Sequence, residues 1–192
     1  MTLPLKNLLR LALATAGFLL IPLVAMQFTK EVNWTLSDFV FAGVMVFGTG
    51  LVYQLVASRS AATPYRLGGG LALAAGFLLI WVNAAVGIIG SEHNSANLLY
   101  AGVLAVAAIG ALLAQFRPVG MARAMAAAAA AQVAVPLLAW LMGRPWPATG
   151  DEAWNTGLMV GVTVLFVALW GGSAALFRWA AATGASPSRQ VA

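Results

Sequence analysis

The sequence predicts an all-α integral membrane protein of six transmembrane helices, built as three helical-hairpin repeats of about 59 residues with both termini cytoplasmic (N-in/C-in). Three observations carry this. Hydrophobic residues are 62% of the 192 and charged residues only 8%, against roughly a quarter charged in a soluble domain. The apolar residues form blocks near the twenty or so needed to cross a bilayer, rather than the one-sided stripes of surface helices. Finally, the hexamer AGFLLI at 16–21 returns at 75–80, an offset matching two crossings plus two short turns.

The first block covers about 8–28, and Lys6 and Arg10 flank its start. It is longer than the apolar region of a secretory signal and lacks a small-x-small cleavage site, so it reads as a helix. The second, about 39–57, follows EVNWTLSDF and carries Gly43, Gly48 and Gly50 for close packing. The third, about 67–90, contains the returning hexamer and Asn83. The fourth, about 98–116, follows SEHNSANLL, and its AGV at 101–103 repeats the AGV at 42–44 of the second. The fifth, about 121–143, carries the alanine run 126–131, Gln132 and Pro136; so little side-chain surface for lipid predicts a central place. The sixth, about 156–177, follows GDEAWNTGL, continues the repeat with Gly161 and Val162, and carries Gly171 and Gly172. Residues 1–182 then form a single six-helix transmembrane domain. The polar TGASPSRQVA at 183–192 reads as a disordered cytoplasmic tail.

Helices rather than a barrel follow because ten-residue alternation is missing and lipid requires each segment to pair its own backbone groups. Pro22 and Pro136 are expected to kink the first and fifth. Lys6, Arg10, Arg59, Arg66, Arg117, Arg123, Arg178 and Arg189 fall on one side of the ladder, and only Lys30 and Arg144 on the other. Such a bias sets the orientation. All five acids, Glu31, Asp38, Glu92, Asp151 and Glu152, lie on the external side. Trp34, Trp146 and Trp154 mark the outer boundary and Trp179 the inner one. The net charge of +5 therefore reflects topology and lipid headgroups as partners, not nucleic acid.

Chemistry is bounded by absences. No cysteine is present, and one histidine cannot ligate a b haem from two sides. No nucleotide-binding loop, dinucleotide fingerprint, zinc-protease motif or nucleophile elbow is visible. No ionisable group lies at mid-membrane depth to couple transport to an ion gradient. No catalytic residue, metal or cofactor is expected, and the chain reads as a non-enzyme.

The ligand or partner candidates are Glu31, Trp34, Asp38, Asn83, Glu92, His93, Gln132, Asp151, Glu152 and Trp154. The acids and amides at the external hairpin ends suit helix capping, Thr35 with Asp38 and Thr149 with Glu152 having capping-box spacing. They equally suit an acidic vestibule for a cation or polar solute. Asn83 and Gln132 sit at membrane depth, where interhelical hydrogen bonding and solute coordination are the two readings.

The stretches EVNWTLSDFVFAGV and VGIIGSEHNSANLLYAGVLAVAAIGALLAQFRPVGMARA resemble those of small, uncharacterised multi-pass inner-membrane proteins of bacteria. The resemblance implies a bacterial inner membrane and no catalytic residue. The three-hairpin plan is also similar in outline to the acid-gated urea and amide channels. Their aromatic-rich last-helix motif is poorly matched by GDEAWNTGLMVGVTVLFVALWGG, and their termini face the other way. The expected function is an accessory, packing or assembly component of a membrane complex, binding other membrane proteins or its own copies. The alternative is a passive channel or small-solute or cation transporter with an acidic external vestibule.

Overall fold

A computed structural model describes residues 4–89, 93–142 and 152–184. It is helical throughout, with no strand among the described residues. The helices are α1 (Leu5–Phe28), α2 (Leu36–Ala57), α3 (Thr63–Ala85), α4 (Leu99–Leu113), α5 (Pro118–Leu141) and α6 (Glu152–Ala182), and a 3₁₀ turn, Ser95–Leu98, leads into α4. Among the described residues six stretches are long and apolar enough to cross a membrane. This is a multi-pass membrane protein. The chain divides into two compact units, one ending at Leu55 and one beginning at Val56.

In the first unit, Thr35 and Asp38 start α2 by the reciprocal pairing their spacing predicts. The Thr35 backbone N–H donates to Asp38 Oδ2 at 2.7 Å, and the Asp38 N–H donates to Thr35 Oγ1 at 3.4 Å. Trp34 meets the Phe39 ring edge-on at 5.3 Å, an aromatic staple across the cap that fixes how the chain enters the helix. Leu11 packs over Gly50 and Leu19 over Gly43, so α1 and α2 run antiparallel with glycine accepting leucine. Pro22 lies inside α1 and is buried.

The second unit has its hydrophobic core among α3, α4, α5 and α6. α5 touches both α4 and α6, and α6 touches α3. The alanine-rich α5 is the most buried span, 39% against 11% for α1 and α2, as its small side chains lead one to expect. Two glycines let α4 and α5 approach. A Cβ at Gly110 would fall 2.7 Å from the Ala124 Cβ, and one at Gly120 would fall 2.5 Å from the Ala114 Cβ.

Each end of this unit is tied by specific bonds. At the α4–α5 end, Gln115 and Phe116 both adopt left-handed backbone, with φ of 50° and 58°, and Pro118 then opens α5. Two such residues in succession cost on the order of 1–2 kcal/mol each. What holds them is visible. Buried Tyr65 donates its hydroxyl to the Phe116 carbonyl at 2.7 Å and lies edge-on to Phe177 at 5.1 Å, while the Arg59 guanidinium sits 5.2 Å from the Phe116 ring centre. Nearby, Ser173 donates to the Gly68 carbonyl at 2.8 Å, joining α6 to α3. At the α3–α4 end, Gly87 takes φ 70° as α3 closes. Asn97 Oδ1 then accepts from the backbone N–H groups of Ile88 and Ile89, at 3.0 and 2.8 Å.

The helix bounds differ from the apolar blocks at particular places. α3 begins at Thr63, with Pro64 in its first turn, and ends at Ala85, short of 90. α6 reaches Ala182, because Arg178 and Trp179 continue a helix that hydropathy alone would stop.

Candidate functional site

The candidate residues fall into groups with different fates. Asp38 is spent on its cap: besides the backbone bond it accepts from the Thr35 hydroxyl at 2.8 Å. Trp34 packs on Phe39. Glu31 is exposed, its backbone N–H donating to Thr29 Oγ1 at 3.1 Å. His93 is exposed in the turn before α4. Glu92 and Asp151 lie outside the described residues, and for Glu152 and Trp154 only the α6 backbone is described. Among the described residues no three acidic or histidine side chains gather.

The amides of the spans behave differently. Asn83 donates its Nδ2 back to the Leu79 carbonyl at 2.7 Å. That is a bond within one helix, and Asn83 Oδ1 is buried with no partner among the described residues. Gln132 is fully buried, and neither end of its amide has a partner among the described residues. Among the described residues these two amides make no interhelical hydrogen bond, whereas Ser173 bonds α6 to α3 and Tyr65 bonds α3 to the connection before α5.

Four further side chains share this condition: Gln54 through its Oε1 in the first unit, Trp170 through its Nε1 two turns along α6 from Thr163, and the two hydroxyls of Tyr100 and Thr163, which escape a reading by amides alone. The Tyr100 hydroxyl and Thr163 Oγ1 are both buried without a partner among the described residues. Tyr100 is only 1% exposed. A tyrosine near a span's end passes for an interfacial anchor, and a threonine within VGVTVLF passes for a helix-compatible hydroxyl, so neither carries a signal in sequence.

Helix register places four of these groups at similar depths. Gly110 faces Ala124; ten residues back along α4 is Tyr100, and ten forward along the antiparallel α5 is Ala134, two past Gln132. Gly172 faces Leu71; nine back along α6 is Thr163, and nine forward along α3 is Ile80. Gly76 faces Leu104; four forward along α3 is again Ile80, and four back along α4 is Tyr100. Tyr100, Gln132 and Thr163 therefore lie within about 3 Å of one level along the bundle, and Asn83 about 4.5 Å beyond it, at 1.5 Å per residue. All four helices of the second unit contribute.

Comparison with known proteins adds nothing to this geometry: no family model, curated protein or solved structure matches the chain. The class defined is a multi-pass helical membrane protein with a belt of uncharged, unpaired polar groups in its second unit.

Proposed function

We propose that the chain is a non-enzymatic component of a bacterial inner membrane that works by packing against other membrane helices, including those of its own copies. The carrying observation is Gly157 and Gly161, one turn apart in α6, both exposed and both with nothing within 4 Å of where a side chain would begin. Exposed Leu158, Val160, Val164 and Leu165 surround them. Two glycines at this spacing let a second helix come close enough for backbone contact, which drives association where lipid supplies no hydrophobic force. Gly48 and Gly171 are likewise open, while Gly43, Gly50 and Gly172 are occupied by leucines of the chain itself.

The charge ladder supports an N-in/C-in orientation for this reading. The element starts support the hairpin repeat: α1 at Leu5 and α3 at Thr63 are 58 residues apart, and α2 at Leu36 and the 3₁₀ turn into α4 at Ser95 are 59. Single-molecule photobleaching in native membranes tests the association. Assemblies larger than one chain are expected, and Gly157→Leu with Gly161→Leu should shift them toward single chains. A protein that is monomeric throughout, with its cellular role intact, would sink the reading.

A second reading, a passive path for a small neutral solute, is favoured by Gln132, a fully buried amide with no partner among the described residues. It requires flux of such a solute into liposomes, reduced in Asn83→Leu. Flux that is absent across a panel of amides, amines and monovalent cations removes it.

A further inference from the structure

The geometry points to a binding site for a small uncharged molecule, one that both donates and accepts hydrogen bonds, enclosed at the level of Tyr100, Gln132 and Thr163 with Asn83 at its edge. The inference deepens the solute reading above but does not need a through-path; a closed site satisfies it.

Four observations converge. First, of the six described side chains with buried unpaired atoms, four lie on four different helices near one depth of the second unit, while Trp170 Nε1 stands about 10 Å further along α6 and Gln54 belongs to the first unit. Second, their burial is deep where it matters: Gln132 is 0% and Tyr100 1% exposed, so neither bulk water nor lipid headgroups can satisfy them. Polar groups held this way in a membrane interior are disfavoured unless something pairs with them.

Third, the inventory is mixed. Gln132 offers two donor hydrogens and an acceptor oxygen, Asn83 keeps Oδ1 and the second hydrogen of its Nδ2, and the Tyr100 and Thr163 hydroxyls can do either. Only an amphiprotic ligand pairs with all of them. Fourth, no acid or base of α3, α4, α5 or α6 lies near this level; Arg66 and Arg123 belong to the opposite end of their helices. A bare cation would find no counter-charge, which leaves a neutral molecule. Water and a compact carboxamide share this chemistry. Val103 and Val135, one turn from Tyr100 and Gln132, are buried and apolar, so the polar stretch ends within a turn on α4 and α5.

The test uses the full chain in lipid nanodiscs, labelled with ¹⁵N in its glutamine side chains, with the Gln132 amide assigned by its loss in Gln132→Leu. Magnetisation transfer to that amide is measured from water and, separately, from added acetamide. Transfer from water alone identifies an ordered-water site. Transfer from acetamide that saturates and displaces the water signal identifies a solute site. In either case Tyr100→Phe and Thr163→Val, which remove one hydroxyl each and keep the shape, should weaken the transfer. No transfer from either probe to a folded protein overturns the proposal, as does transfer that neither variant alters. Transfer without liposome flux upholds the site while removing the path, so the two failures are distinguishable.

Discussion

Glycines in these helices act through the space above them. Gly120 lies where a methyl would meet Ala114 at 2.5 Å, with that residue's Cα at 3.1 Å, whereas Gly102 in α4 has nothing within 4 Å. Gly120→Ala is therefore expected to destabilise the protein by about 1–3 kcal/mol, the usual cost of overpacking. Gly102→Ala should be neutral or stabilising by up to about 1 kcal/mol, since alanine is the better helix former. Steric-trapping or denaturant unfolding in bicelles measures both, and equal effects would show that the α4–α5 approach is slack. The same logic separates the polar residues. Ser173 and Tyr65 each reach a carbonyl on another segment, and Gln132 reaches nothing among the described residues, though all three are polar residues in apolar surroundings and look alike as letters.

Helices were legible to the extent that their ends follow composition. Thr35 and Asp38 announced the start of α2, and the structure closes the cap they imply. The centrality of α5 was legible from its alanines. The end of α4 was not, because Gln115 and Phe116 take left-handed backbone without a glycine to signal it, held by Tyr65 from fifty-one residues away. No local pattern carries such a tertiary constraint. The candidate site was half legible: an amide in a span stands out, and Asn83 and Gln132 do. Tyr100 and Thr163 join them only through helix register, which depends on which glycine faces which neighbour. The amides of SEHNSANLL proved structural in part, Asn94 and Asn97 bonding the backbone of their own connection.

For the molecule as a whole, the proposed orientation has a direct check, because a chain with no cysteine accepts single reporters cleanly. Cysteines placed at His93 and at Arg117 should be labelled by an impermeant maleimide from opposite sides of the membrane, His93→Cys from outside. Labelling of both from one side would overturn the ladder. How the protein sits in its bilayer also follows from the length of α6. Thirty-one residues at 1.5 Å each make a rod of about 46 Å, against a hydrocarbon layer of about 30 Å. Arg178 and Trp179 suit the headgroup zone at one end, so the surplus emerges at the other, carrying the turns before Gly157 out of the oil. Thickening the bilayer would draw those turns in and tilt the rod less, while thinning it would push the exposed glycines toward the water. Membrane thickness would thus act as a dial on the contact surface proposed for α6, and the same protein would meet a neighbouring helix differently in thin and thick lipid.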